Sequence, residues 1–204
     1  MKTKVSLIVI IFLLIIGLFF VNVNIHVKAD SKEIYVKTGY FGASKGTAEQ
    51  PYKTIQEAID IANSGDTIYV FKGIYNETLL INKTIELIGE QKNSTIIDGE
   101  YAEIILHLIK DDIVIKNFTI RNSNGYLSNS GIKIESNKNS IIHCSIYRTK
   151  TGIYIKNSNS NIIDNCSFFN NGNGVILDSS KENKISGCVL FHNSIGICVE
   201  NSKN

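Results

Sequence analysis

The chain has 204 residues, of which 43% are hydrophobic and 20% charged, so it is neither a disordered segment nor a protein with many membrane spans. Its 21 Lys and Arg against 19 Asp and Glu give a formal net charge of +2, which argues against the strongly basic face that a nucleic-acid partner needs. Isoleucine and asparagine are abundant, and this combination favours many short strands joined by turns.

Residues 1–29 have the composition of a secretory leader. Two lysines near the N-terminus precede an apolar run over residues 5–21, and Val27 and Ala29 are the small residues expected just before a cleavage site. An uncleaved membrane anchor is the alternative, because the run is long enough to cross a bilayer. Both interpretations predict that residues 30–204 are exported, to the periplasm, the cell surface or the medium. Membrane contact is expected only through an uncleaved anchor.

One helix is predicted among the strands that follow the leader. A strand is predicted over residues 30–36, and apolar residues at helical spacing predict an amphipathic helix over residues 54–63. Thr54 and Glu57 form a capping box at its start, and Gly65 follows its end. Further strands are predicted over residues 67–71, 79–81, 84–88, 95–97, 104–108 and 113–120. No second helix is expected downstream.

Residues 113–204 contain an internal repeat whose clearest period is 22 residues. The markers are cysteines 22 residues apart, glycines that begin apolar triplets, and asparagines that precede the cysteines. They are Cys144, Cys166 and Cys188, Gly152, Gly174 and Gly196, and Asn139, Asn161 and Asn183. A period of this length, with three short strands in each unit, is typical of a parallel solenoid.

In a solenoid, equivalent residues of successive coils lie one above another at about 4.8 Å. We therefore expect the three repeat cysteines to form a buried column in the core. Disulfides between them are not expected, because side chains that point the same way suit a bridge poorly. The three repeat asparagines are expected to form a hydrogen-bonded ladder at a turn. Cys198 falls on the outward face, in one column with Tyr154 and Ile176.

Several segments resemble the right-handed parallel β-helix proteins of the NosD-like and pectin-lyase-like superfamily. They are Pro51–Ile59 (PYKTIQEAI), Gly65–Val70 (GDTIYV), Gly73–Glu77 (GIYNE) and Ile97–Gly99 (IDG), and the repeats from residue 113 resemble parallel β-helix repeats. The resemblance implies an all-β domain over residues 30–204, a single-stranded right-handed parallel β-helix with coils of about 22 residues. It also implies that the helix over residues 54–63 caps the N-terminal end. It specifies activity much less closely than fold.

Lyases of this superfamily hold calcium with carboxylates and use Arg or Lys as the base beside a uronate carboxylate. By this resemblance, Arg148 and Asp164 are the candidate catalytic residues, although both are expected to be solvated turn residues. No column is expected to stack two acids, so calcium is expected only if the protein is a lyase, and no metal ligands are assigned. Asp98 and Gly99 are interpreted as a turn.

The sequence favours a non-catalytic, structural or carbohydrate-contacting role at the cell surface. Tyr154 and Ile176 form a candidate surface for contact with a polysaccharide or cell-surface glycan. A polysaccharide lyase or glycoside hydrolase is the first alternative. A NosD-like copper-handling protein is the second, but no Met-rich or His-rich motif supports copper binding. Because no capping element is predicted after the last coil, end-to-end self-association at the C-terminal end is a further hypothesis.

Overall fold

Short runs of apolar residues, each ended by a turn, wind the chain into a parallel β-solenoid with three sheets. The computed structural model describes residues 31–125 and 129–202. The predicted leader over residues 1–29 lies outside these ranges and stays a prediction. Within the two described ranges, no helix has the length and apolar character needed to cross a membrane. The all-β parallel solenoid expected from the sequence is confirmed.

Each complete coil contributes one strand to each sheet, and strands β2 to β19 form six coils. The first sheet contains β1 (Glu33–Val36), β2 (Thr67–Val70), β5 (Glu86–Gly89), β8 (Val114–Lys116), β11 (Ser140–Ile142), β14 (Ile162–Asp164) and β17 (Lys184–Ser186). The second contains β3 (Gly73–Asn76), β6 (Thr95–Ala102), β9 (Thr119–Ser123), β12 (Ser145–Tyr147), β15 (Ser167–Phe169) and β18 (Val189–Phe191). The third contains β4 (Leu79–Ile81), β7 (Ile104–Leu108), β10 (Ser130–Ile134), β13 (Thr151–Lys156), β16 (Asn173–Asp178) and β19 (Ile195–Glu200).

The sheets stack equivalent residues of successive coils in register. Ile132 pairs with Ile153, which pairs with Val175, and all three side chains are fully buried. In the second sheet, Ile146 pairs with Phe168 in the same way. All strand pairs between the named strands are parallel. The core is thus a continuous apolar column that no single coil could bury alone.

Single residues in the left-handed conformation turn the chain between sheets. Asn117, His143, Asn165 and Gly187 occupy equivalent places between the first and second sheets, with φ between 51° and 62°. Asparagine and glycine tolerate this conformation better than most residues, which explains their frequency in the sequence. The prediction of one strand over residues 113–120 is wrong, because the turn at Asn117 divides that segment into β8 and β9.

The single helix of the described residues, α1 (Ile55–Ile61), packs against β1, β2 and β4. The side chain of Thr54 accepts the backbone N–H of Glu57 at 3.2 Å, which is one half of the predicted capping box, whereas the Glu57 carboxylate accepts the N–H of Lys53 at 3.4 Å. The helix ends before the predicted boundary at residue 63, because Ala62 already has an extended ψ of 149°. The proposal that α1 caps the solenoid stays a prediction.

Two charged side chains from the following coil hold the ends of α1. The carboxylate of Glu77 accepts the backbone N–H groups of Ile55 and Gln56 at 2.9 and 3.0 Å. The ammonium of Lys83 donates to the carbonyls of Ile59, Asp60 and Ala62 at 3.0, 2.6 and 2.7 Å. These contacts satisfy helix-end groups that have no partner within the helix, so the sheet stabilises a helix too short to persist alone.

Candidate functional site

The repeat asparagines form a continuous hydrogen-bonded ladder at the turn that enters the first sheet. The backbone N–H and the side-chain amide of Asn139 both donate to Oδ1 of Asn161, at 2.9 and 3.0 Å. The same two bonds, again 2.9 and 3.0 Å, join Asn161 to Asn183. Asn139 and Asn161 are fully buried, so each bond satisfies polar groups that water does not reach. This arrangement joins coils and offers no chemistry to a ligand.

The repeat cysteines lie one above another inside the solenoid. Cys144 and Cys166 are buried, Cys188 is partly buried, and all three thiols are free. The backbone N–H of Cys144 lies 3.4 Å from Sγ of Cys166. A hydrogen bond with Cys144, together with burial, raises the pKa of the Cys166 thiol to about 12. A protonated thiol in the core is a poor nucleophile and a poor metal ligand.

The two candidate catalytic residues lie at different places in the coil, one in a turn and one in a strand. Arg148 follows β12 in a left-handed turn with φ of 53°, and its guanidinium lies 5.9 Å from the centroid of the Tyr147 ring. Asp164 ends β14 in the first sheet, where it accepts hydrogen bonds from Ser186 and from the Asn165 side chain, each at 2.7 Å. The expectation that Asp164 is a turn residue is wrong, because its backbone pairs with Ser186 within the sheet.

The expectation that no column stacks two acids is also wrong. Asp178 of β16 pairs in register with Glu200 of β19, on the outward side of the third sheet. Lys156 of β13 is the next residue down this column. This column lies far from the repeat cysteines, because the third-sheet strands continue to residues 156, 178 and 200.

The third sheet carries an open groove of about 560 Å³ that crosses three coils. Tyr154, Ile176 and Cys198 pair in register and form one column of it. The other lining residues are Lys150, Gly172, Asn173, Ser194, Ile195 and Glu200. The two residues singled out by the sequence for carbohydrate contact therefore lie together in one concave surface.

Burial and hydrogen bonding raise the pKa of two titratable side chains of this groove. The hydroxyl of Tyr154 donates to Oδ2 of Asp178 at 3.0 Å, and burial together with this bond raises the pKa of Tyr154 to about 12. The thiol of Cys198 lies 3.4 Å from Oε1 of Glu200, and that hydrogen bond raises the pKa of Cys198. The groove thus combines an aromatic ring, aliphatic side chains, an amide and hydroxyls, which suits stacking and hydrogen bonding to a polar ligand.

An aromatic stack in the second sheet was not predicted. Tyr147, Phe169 and Phe191 stack in register with ring centroids 4.7 and 5.0 Å apart. Each ring lies three residues after a repeat cysteine, so the 22-residue period contained the signal. Because the rings stack on one another, their faces cover each other and stabilise the sheet.

A partly buried ion pair lies next to this stack and was also missed. Nε of Arg121 donates to Oδ2 of Asp98 at 2.7 Å, and the side chain of Asn122 donates to both carboxylate oxygens at 2.9 and 3.0 Å. Burial opposes ionisation of Asp98, but hydrogen bonds from Asn122, Arg121 and the Glu100 backbone outweigh it and lower the pKa of Asp98. The sequence pattern of Asp98 and Gly99 indicated a turn and gave no sign of this ion pair.

Charged residues also meet below Tyr154 in its column. Oε2 of Glu135 lies 2.7 Å from Nε2 of His107, and its Oε1 lies 3.0 Å from Nζ of Lys133. Across residues 31–125 and 129–202, no three His, Cys, Asp or Glu side chains are grouped so that they could hold a metal. The calcium and copper alternatives rest on the sequence resemblance alone.

The solenoid is similar to solved structures of a rhamnogalacturonan lyase and of pectate lyase Pel9A. The first has a TM-score of 0.59 and 13% identity, with coverage of 85% of this chain and 62% of the other. The second has a TM-score of 0.65 and 16% identity, with coverage of 84% and 53%. At these identities the likeness shows the fold alone, and the chain spans less than two thirds of either protein. No curated protein matches the chain.

A family model described as the right-handed β-helix region matches residues 89–204, more than half of the chain. The match begins at the last residue of β5 and includes the coils that carry the asparagine ladder and the groove. The parallel β-helix resemblance drawn from the sequence is confirmed. The chain belongs to the right-handed β-helix family.

Proposed function

We propose that this protein is an exported, surface-associated and non-catalytic β-helix that contacts carbohydrate through the groove of its third sheet. The observation that carries the proposal is that Tyr154 and Ile176, one coil apart, lie in the same concave surface. An aromatic ring beside an aliphatic side chain suits the apolar face of a sugar, and neighbouring polar groups suit its hydroxyls. The three rows of the groove span about 10 Å, enough for a short stretch of an extended glycan.

Export is supported by the apolar run over residues 5–21 that follows two lysines. The proposal that the protein is not a catalyst is supported by the contacts that acidic side chains in and beside the groove make with their neighbours. Asp178 accepts the Tyr154 hydroxyl, and Glu200 contacts the Cys198 thiol. The candidate pair for lyase chemistry is Arg148, in the turn after β12, and Asp164, at the end of β14, and neither lines the groove.

Glycan-array binding of residues 30–204 tests the proposal, followed by titration of the best ligand. We expect Tyr154→Ala to weaken binding by about threefold to tenfold, since an aromatic contact contributes about 0.5 to 1.5 kcal/mol. Tyr147→Ala is the matched control, because Tyr147 is also a strand tyrosine but lies in the aromatic stack of the second sheet. Equal losses of glycan affinity in both variants, or no binding on a broad array, would contradict the carbohydrate-binding proposal.

Cys198 supplies an independent reporter of groove occupancy. It lines the groove, whereas Cys188 belongs to the core column and Cys144 and Cys166 are buried. A bound glycan is expected to slow alkylation of Cys198 and to leave the rate at Cys188 unchanged, as measured by peptide mass spectrometry. Protection of both thiols would point to a general change in stability instead of occupancy of the groove.

The non-catalytic part is tested with the same purified protein. Incubation with polyuronates, with and without calcium, is expected to yield no unsaturated product at ultraviolet wavelengths. Product formation that disappears in Arg148→Ala would establish a lyase and overturn this part of the proposal, while the glycan-binding result would stand separately.

Self-association through the last coil is the partner proposal. In the described residues, β17, β18 and β19 each have a neighbour on one side, and Val189, Val199 and Phe191 are exposed by 57%, 55% and 44%. An open edge with apolar side chains favours pairing with another β-structure. Light scattering is expected to show a concentration-dependent dimer that Val199→Lys disrupts and Ile109→Lys, at an exposed site elsewhere, does not. A monomer at all concentrations would exclude this association.

A further inference from the structure

Three Asn-Gly pairs occur in the chain, namely Asn124-Gly125, Asn171-Gly172 and Asn173-Gly174. In such a pair the glycine nitrogen can attack the side-chain carbonyl carbon of the asparagine, because glycine has no Cβ to obstruct the approach. The reaction needs a nitrogen close to that carbon and a backbone free to close a five-membered ring. The structure differs in both respects among the three pairs.

Asn124-Gly125 has the reactive arrangement. The backbone nitrogen of Gly125 lies 2.6 Å from Oδ1 of Asn124, to which its N–H donates. Because a C=O bond is about 1.23 Å long, that nitrogen lies within about 3.8 Å of the carbonyl carbon Cγ. Gly125 is exposed, and a Cβ placed on it would meet no atom within 4 Å, so the backbone has room to close the ring.

Asn171-Gly172 has the same two residues in a locked arrangement. Asn171 is 5% exposed, and its Oδ1 accepts both the backbone N–H and the hydroxyl of Thr149, at 3.0 and 2.8 Å. Its side-chain nitrogen donates to the carbonyl of Ile146 at 3.0 Å. The backbone N–H of Gly172 donates to the carbonyl of Thr149 at 3.1 Å. Neither the carboxamide nor the nitrogen is free to approach the other.

Asn173-Gly174 is held in a second way. Both residues belong to β16, and Asn173 pairs with Thr151 on one side and Ile195 on the other. A Cβ on Gly174 would collide with the carbonyl oxygen of Gly196 and lie 2.8 Å from Leu190, so the surroundings of Gly174 are closely packed. A strand with neighbours on both sides has no freedom to form the ring.

We infer that Asn124 is a site of spontaneous deamidation in the folded protein. The Gly125 nitrogen gives its proton to hydroxide and forms a bond to Cγ of Asn124, while the side-chain NH2 takes a proton from water and leaves as ammonia. Water then opens the cyclic imide at either carbonyl, which yields aspartate or isoaspartate at position 124. The reaction consumes water and needs no oxidant, reductant or cofactor.

The product changes the coil next to the groove. Asn124 donates its backbone N–H to the carbonyl of Ala102 at 2.7 Å, and the neighbouring Ser123 accepts the backbone N–H of Lys150, which lines the groove. Conversion adds a negative charge at position 124, and the isoaspartate form lengthens the main chain by one atom. The fraction of molecules converted at position 124 therefore increases with the age of the protein, and no enzyme is needed.

The test incubates the purified protein at mildly alkaline pH and follows all three pairs by peptide mass spectrometry. We expect Asn124 to convert to aspartate and isoaspartate while Asn171 and Asn173 stay intact. The rate at Asn124 is expected to rise about tenfold per pH unit, as does the ionised fraction of a group well below its pKa. In isotope-labelled water, each product is expected to contain one labelled oxygen.

Two variants and one condition serve as controls. Asn124→Gln removes the reaction, and Gly125→Ala slows it, because the added Cβ obstructs attack without meeting a neighbour in the fold. Unfolding in denaturant is expected to expose all three pairs to the reaction. Conversion of Asn171 or Asn173 as fast as Asn124 in the folded protein would overturn the inference, as would an intact Asn124 while the unfolded chain converts there.

Discussion

At the residue scale, Asn161 shows how one side chain can join three coils. Its Oδ1 accepts two hydrogen bonds from Asn139, and its own N–H and side-chain amide donate to Asn183. The equal spacing of the asparagines was enough to predict that they share a column, because register in a parallel sheet follows sequence period. The ion pair of Asp98 and Arg121 escaped prediction because these residues lie where β6 bulges and the period is lost.

Asn161→Ala is expected to lower the free energy of unfolding by about 2 to 4 kcal/mol, since it leaves buried N–H groups of the ladder without acceptors. The matched control is Asn159→Ala, two residues away and exposed, where water can replace the single acceptor that Lys181 N–H uses. We expect Asn159→Ala to lower the free energy of unfolding by less than about 1 kcal/mol. Urea denaturation measures both, and equal effects would contradict a special role for the buried ladder.

The Asp98 carboxylate makes the free energy of unfolding depend on pH in the acid range. Because its folded pKa lies below the ordinary value of 3.8, the stabilisation is present above that value and is lost as pH falls through the lowered pKa. Asp98→Asn is expected to flatten the acid limb of stability measured by denaturant titration at successive pH values. Asp60→Asn, at an exposed helix position, serves as control and should keep the wild-type slope. An unchanged slope in Asp98→Asn would show that other carboxylates dominate.

At the element scale, strands and turns followed from local sequence, but the limits of elements depended on partners far along the chain. The helical period predicted α1, yet Glu77 and Lys83 hold its two ends from the next coil. The Asp178 and Glu200 column was missed because the length of third-sheet strands is not set by their own residues alone. It also depends on how far each strand finds a partner in the coil beside it.

The repeat glycines at the start of the third-sheet strands test this dependence on neighbouring coils. Gly174→Ala is expected to lower the free energy of unfolding by about 1 to 3 kcal/mol, because the new Cβ would collide with the carbonyl of Gly196 and crowd Leu190. Gly196→Ala places the same group at the equivalent position of the last coil, where Leu190 at 3.8 Å is its one close neighbour. We expect that variant to cost less than about 1 kcal/mol. Similar losses by thermal or urea unfolding would contradict the packing argument.

At the scale of the whole molecule, the 22-residue period was sufficient to predict the architecture, because a repeat fixes how every coil meets the next. The groove was only half predictable. Tyr154 and Ile176 were placed in one column, but the concavity also depends on the turn column of Lys150, Gly172 and Ser194, which keeps the 22-residue spacing while its side chains differ in kind. Such a surface arises from how the turn residues and the sheet lie together in space.

Because each coil contacts only its neighbours, protection of the backbone should fall toward the open edge. For the monomer, at protein concentrations too low for the proposed dimer, hydrogen exchange is expected to be slowest in β11, β12 and β13, which have coils on both sides, and faster in β17, β18 and β19. Peptide-level mass spectrometry measures this gradient. Uniform protection through the last coil would mean that this edge is covered in solution, as the self-association proposal requires.

The constant register also governs how such a chain can change in length during evolution. A duplication or loss of 22 residues moves every column by one whole step and leaves each asparagine facing an asparagine. Any other length would misalign the buried rows unless the surplus residues lie between two strands, and more residues separate β9 from β10 in the sequence than separate β12 from β13. Gain or loss of whole coils is therefore the change in length that preserves the buried core.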